Sequence, residues 1–230
     1  MPPTPRPAGP KKKADVKVPS PSLGGGSNRS LLIAVGVAGI VVIAAAVIGY
    51  VAFGGSSSSA SADAPKLLQA AGCSLQSVKS EKAGDHSVLV PTGISSKWNT
   101  DPPTSGPHYQ VAAVWGAYTA PLNPAQLVHN LEHGGVYILY GKDVPTATVD
   151  QLKGFYDKHT NATIMAPLPS LGNKIALGAW TTKSASQPNN GTAYLAKCTT
   201  FDDAAFTAFL SAYQGKGPER FPMVSLSPGS

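Results

Sequence analysis

The chain predicts an α+β fold: one compact domain with a small mixed sheet and about three helices, carried on a single transmembrane helix. Three observations lead there. Leu31 to Phe53 contains no charged residue. At about 1.5 Å of rise per residue, a helix of that length crosses a ~30 Å hydrocarbon core. Beyond it, apolar runs of strand length alternate with helical patterns. Some of those strands also follow each other directly, so the sheet is expected to be mixed.

In chain order, residues 1–30 are rich in Pro, Lys, Gly and Ser and lack the apolar content to fold alone. Six basic side chains (Arg6, Lys11, Lys12, Lys13, Lys17 and Arg29) face one acid there, Asp15. After the apolar run, twelve basic residues face eleven acidic ones. Cytoplasmic flanks of a span are the ones rich in Lys and Arg. Residues 1–30 are therefore expected in the cytoplasm, 31–53 in the cell membrane and the rest outside the cytoplasm. The same asymmetry explains a pI near 9.3 without nucleic acid as a partner, because the part after the run is near neutral. Ala60-Ser61-Ala62 resembles a signal cleavage site, but the basic region and the apolar run are longer than a signal peptide needs, so an uncleaved anchor is expected. Gly72-Cys73 lies too far beyond the run for lipidation at such a site.

Residues 54–65, with GGSSSSASA, read as a flexible Gly/Ser tether. The folded domain is expected over 66–222, with 223–230 as a tail. Ser74 to Val90 offers short strand-like runs, of which SVLV at 87–90 is the clearest. The stretch that follows carries Pro102, Pro103, Gly106 and Pro107, which forbid a regular helix. Its Trp98, Tyr109, Trp115 and Tyr118 predict that it packs rather than floats. Asn123-Pro124 opens a helix that stops at Gly134-Gly135. GVYILY at 135–140 is a buried strand, and 146–159 a helix with Val149, Leu152, Phe155 and Tyr156 on one face. Strands are expected at 162–166, 174–181 and 192–198, then a helix capped by Asp202 or Thr200 that ends near Tyr213. GKGPERFP reads as polar and irregular.

Cys73 and Cys198 stand near the two ends of the domain. Outside the cytoplasm thiols oxidise, so a disulfide between them is expected. The chain has no C-x-x-C dithiol motif. A free pair or a metal-thiolate role is the alternative.

His129 and His133 are four residues apart on the predicted helix, so both imidazoles lie on one face and can converge on one ion. His108, at the end of the proline-stiffened PPTSGPH, is a natural third ligand. Two histidines at a helix C-terminus can also simply cap carbonyls and meet the dipole. The order H-x-x-E-H matches a zinc hydrolase pattern in which Glu132 would be the general base. Such an enzyme needs a further acidic ligand, and neither Glu81 nor Glu219 sits in a clear second motif. Ser105 lacks a nucleophile elbow, phosphate-cradling glycine loops are absent, and Gly24-Gly25-Gly26 reads as linker.

NTDPPTSGPHY at 99–109, WGAY at 115–118, LVHNLEHGGVYILY at 127–140 and AYQGKGPER at 212–220 together resemble the bacterial family of domain of unknown function 3105. The resemblance covers roughly residues 72 to 220. It implies a single-span protein with an extracytoplasmic domain and places the site on Pro102 to His108 and on His129, Asn130, Glu132, His133 and Gly134. His86, in GDHSVLV, resembles a family position too, with a different spacing to the following proline. The resemblance implies no activity. Two readings stay open beside the hydrolase. In one, His108, His129 and His133 bind a transition metal, Cu or Zn, or form the surface for a protein partner. Met165 and Met223 would favour copper if near, though both read better as core residues. In the other, Asn99, Thr104, Ser105, Asn130 and Glu132 form a buried hydrogen-bond network that pins the long loop to the helix without a metal.

Overall fold

The computed structural model describes residues 57–230, with side chains from 63 onward. The expected basic tail, the membrane span at 31–53 and the start of the tether lie outside the described residues. Among the described residues no helix is long and apolar enough to cross a membrane.

The domain is α+β with one mixed five-stranded sheet. In chain order its elements are α1 (Ser57–Ala70), β1 (Ser74–Lys79), α2 (Pro124–Glu132), β2 (Val136–Tyr140), α3 (Thr146–Tyr156), β3 (Thr163–Pro167), β4 (Ile175–Thr182), β5 (Gly191–Cys198) and α4 (Asp203–Tyr213). The strand order is β1-β5-β4-β2-β3. Only β2 and β3 are parallel; they are joined through α3, as a parallel pair requires. The other three pairs are antiparallel.

Period-two alternation divides the core between the two faces of the sheet. Val136 and Ile138 of β2 join Leu152, Phe155, Phe206 and Phe209 of the helices on one face. Tyr137 and Leu139 point the other way, into a cluster with Leu127, Val128 and Leu131 of α2, Trp115 and Trp180. Both faces are covered, which explains why VYILY reads as a continuous apolar run.

Three expectations are corrected. The tether expected over 54–65 is already helical from Ser57, because this helix packs through fully buried Ala64 and Leu68. SVLV at 87–90 is not a strand. Val88 makes an isolated bridge to Tyr109, while Leu89 and Val90 are exposed, so local β propensity had no partner strand to satisfy it. Residues 223–230 are not a loose tail. Leu226 is buried, its carbonyl accepts the Ala162 amide at 2.7 Å, and the Trp115 amide donates to the Ser230 carbonyl at 3.1 Å.

Cys73 and Cys198 are disulfide-bonded across a separation of 125 residues. Cys73 directly precedes Ser74, which pairs with Lys197 in the β1–β5 ladder, so the bridge lies at the margin of that pair.

Candidate metal centre

The site assembles from three segments on the α2 face. The first is α2 itself. Asn123 takes the N-cap position and Pro124 fills N1, as the sequence suggests, and His133 is the C-cap. The next residue, Gly134, has φ 96°, the left-handed conformation that ends helices. This buries His129, Asn130 and Glu132 toward the sheet and leaves His133 half-buried at the rim.

The second segment is the long loop of residues 80–123, held down by polar side chains. Asn130 grips Ala113 from both sides: its Oδ1 accepts the Ala113 amide at 3.0 Å and its Nδ2 donates to the Ala113 carbonyl at 2.8 Å. Asn99, Thr104 and Ser105 act elsewhere in the same loop. Asn99 donates to the Lys79 carbonyl, Thr104 contacts Thr100, and Ser105 accepts the Glu81 amide. The far part of the loop runs along β3, where Met165 exchanges hydrogen bonds with Gly116 and Tyr118.

The third segment follows α4. The Gly215 amide donates to the Gly134 carbonyl at 2.8 Å and the Glu219 amide to the Glu132 carbonyl at 3.0 Å. A Cβ at Gly217 would stand 2.4 Å from both the Glu132 carbonyl oxygen and the Gly134 nitrogen, so only glycine permits this approach. The strap thereby carries Glu219 to the end of α2.

Four donors converge inside: His86, His108, His129 and Glu132, with one ligating atom of each within 4.8 Å of the others. His108 and Glu132 are wholly buried. Two hydrogen bonds set the tautomers. His108 Nδ1 lies 2.8 Å from the Gly106 carbonyl, and His129 Nδ1 lies 2.8 Å from the Tyr109 carbonyl. A carbonyl only accepts, so each Nδ1 carries a hydrogen and a neutral ring keeps its lone pair on Nε2. Glu132 Oε1 accepts the Gly84 amide at 2.7 Å. Its Oε2 stands 3.0 Å from His108 Nε2 and 4.0 Å from His86 Nε2. The His108–Glu132 contact is short but lies off the angle of a hydrogen bond, and both atoms are buried without a hydrogen-bonding partner.

Charge follows this geometry. Burial pushes the His108 pKa down, but contact with Glu132 and its charge outweigh burial and raise it. Burial pushes Glu132 up, and His108 then holds it below the ordinary carboxylate value. Burial lowers His129, helped by His108.

A second group shares His129: His129, His133 and Glu219. The His129 and His133 rings are 4.6 Å apart, and His133 Nε2 lies 3.2 Å from Glu219 Oε2. Burial first, then the neighbouring His129, bring the His133 pKa down to about 4 despite the charge of Glu132. Burial and the Glu132 charge raise Glu219.

The expected trio is thus divided. His108 and His129 meet in the inner group, whereas His133 belongs to the outer one. Glu132 faces the inner group through Oε2 and also ties the loop to α2 through the Gly84 amide on Oε1, as the loop-pinning reading expects. His86 and Glu219 complete the two groups. The resemblance touched both residues, since Glu219 stands within AYQGKGPER, but neither has a local spacing that signals a ligand.

A family described as "Protein of unknown function (DUF3105)" matches residues 90–223, more than half of the chain. The match contains His108, His129, Glu132, His133 and Glu219 and begins just after His86. No curated protein and no solved structure matches the chain.

Proposed function

The chain belongs to that family of unknown function, and we propose that its domain binds one divalent transition-metal ion through His86, His108, His129 and Glu132. The observation that carries this reading is the buried pair of His108 Nε2 and Glu132 Oε2, 3.0 Å apart and each without a hydrogen bond. Buried polar atoms are nearly always satisfied. A neutral His108 nitrogen facing a carboxylate oxygen calls for a proton or a metal ion between them, and the tautomer fixed on His129 leaves its Nε2 lone pair free for the same group. Three imidazoles and one carboxylate suit Zn²⁺ or Cu²⁺. The backbone carbonyls on each Nδ1 are the usual orienting partners of metal-binding histidines.

The loop-pinning account explains Asn130, Asn99, Thr104 and Ser105, and it operates alongside the metal reading. On that account alone, the His108–Glu132 contact is a buried ion pair closed by a proton.

We also propose that the domain stands outside the cytoplasm on a Leu31–Phe53 anchor. The charge-free run, the basic residues before it and the disulfide support this placement. A reporter fused after Ser230 would then be active only outside the cytoplasm, and cytoplasmic activity would reverse the orientation.

The metal reading is tested by elemental analysis and calorimetric titration of the full chain in mild detergent. One equivalent of Zn²⁺ or Cu²⁺ is expected, and His129→Ala should abolish it. A wild-type chain that takes up neither ion sinks the proposal.

A further inference from the structure

The outer group shares a ligand with the inner one, and His129 can serve only one ion at a time. Its Nδ1 is committed to the Tyr109 carbonyl, so a single nitrogen remains for both groups. A pair of simultaneously filled sites bridged by this imidazole is therefore ruled out. The groups also differ in access. In the inner group His108 and Glu132 are wholly buried and only His86, 40% exposed, reaches solvent, whereas in the outer group both Glu219, 43% exposed, and His133, 18% exposed, do.

The ring sequence is continuous from rim to interior. His133 lies 4.6 Å from His129, and His129 lies 4.8 Å from His108 and 5.0 Å from His86, centroid to centroid. Phe221 packs on His133 at 4.4 Å and holds the outer ring in place. The strap that brings Glu219 is tied to the end of α2 through backbone hydrogen bonds rather than through a metal. The outer donors are thus positioned before any ion arrives.

We propose that His133 and Glu219 form a receiving site through which a divalent transition-metal ion reaches the buried centre, with His129 as the ligand common to both positions. This inference rests on the metal reading above. The ion first binds His129, His133 and Glu219. It then exchanges His133 and Glu219 for His108, Glu132 and His86 while its bond to His129 Nε2 persists. No electron moves, and the ion is never released into a desolvated space without ligands. Apart from the exposed His86, the inner donors are buried, so an ion arriving without His129 already bound would shed most of its water on a single imidazole, which is costly for a divalent cation.

The test is stopped-flow uptake of Cu²⁺ by the full-length protein in detergent, followed by tryptophan quenching. Trp180 lies 6.4 Å from the His108 ring and reports arrival at the inner position. Glu219→Gln and His133→Ala are expected to slow both uptake and release by about tenfold or more, the scale on which a lost metal-site partner acts. Because both directions slow together, Kd and the stoichiometry of one ion per chain should stay unchanged. Glu219 is exposed, so its substitution tests the idea without endangering the fold. His108→Ala should leave one weaker ion, which the added Glu219→Gln change removes. Unaltered rates in both outer variants overturn the receiving site, as does binding of two ions per chain. A change in Kd with unchanged rates assigns Glu219 a static electrostatic role instead and also overturns it. A wild-type protein that binds no ion defeats the metal reading itself, a result distinct from each of these.

Discussion

A neutral imidazole nitrogen and a carboxylate oxygen that both present lone pairs repel each other unless a proton or a metal lies between them. That conflict at His108 and Glu132 gives the residue scale its sharpest prediction. Glu132→Gln keeps the size and the Gly84 hydrogen bond but replaces an anionic ligand with an amide. As a direct ligand, Glu132 should cost more when replaced than the 10–100-fold typical of outer hydrogen-bonding partners, so metal affinity should fall by more than about 100-fold. Calorimetry with Zn²⁺ reads this directly, and an unchanged affinity would remove Glu132 from the centre. His133 supplies a second test, in the metal-free protein. Its pKa, 6.5 when free, is lowered by burial to about 4 in the folded chain. The unfolded chain therefore binds the extra proton first, and folding stability falls as pH drops from about 6.5 toward 4. His129 acts in the same direction. His108, whose pKa is raised, acts oppositely: its contribution is complete below 6.5 and is lost as pH rises through the folded value. In His133→Gln the acid-side decline should be shallower by urea midpoints taken across this window. An identical slope would mean that His133 titrates normally.

At the scale of elements, the site depends on how closely the strap after α4 approaches the end of α2. Gly217→Ala places a methyl 2.4 Å from backbone atoms of Glu132 and Gly134, which cannot swing aside as a side chain can. The expected cost is about 1–3 kcal/mol, as for other overpacked positions, measured by chemical denaturation. A neutral result would mean that the strap shifts freely. The same elements show what can be read without coordinates. Local signals placed α2 well, because Pro124 at N1 and Gly134 after the C-cap each act on their own backbone, whereas Asn123 holds the N-cap position without a side-chain capping hydrogen bond. The strand at 136–140 was equally plain from its apolar run. The strand expected at 87–90 failed because a strand needs a partner, and partners are not local. The strap's GKGPERFP is polar and irregular as a sequence because its meaning lies in contacts with α2, some eighty residues earlier. For the same reason His108 and His129 could be named as donors from a loop and a helix, whereas adding Glu219 and moving His133 to an outer group required the fold.

For the whole molecule, the question is how far the stability of the domain and the chemistry of its site are separable. The Cys73–Cys198 bridge belongs to the cluster that packs α1, α3 and α4 on one face of the sheet. The α2 side chains Leu127, Val128 and Leu131 belong to the cluster on the opposite face. The bridge closes a span of 125 residues, for which a chain-entropy argument gives about 4–5 kcal/mol of stabilisation through the unfolded state. That is a large part of the 5–15 kcal/mol typical of a folded domain. It acts on the unfolded ensemble, and no inner donor is adjacent to either cysteine. Replacing both cysteines by serine should therefore lower the denaturation midpoint by an amount near that figure. It should leave metal affinity unchanged at temperatures where the variant stays folded. Titration and unfolding of the same preparation distinguish the outcomes. If affinity falls while the fold is retained, the sheet transmits strain from one face to the other and the two faces are coupled. If affinity holds while stability drops, the disulfide serves as a clamp suited to an oxidising compartment, and the histidine centre is positioned by α2, its loop and the strap alone.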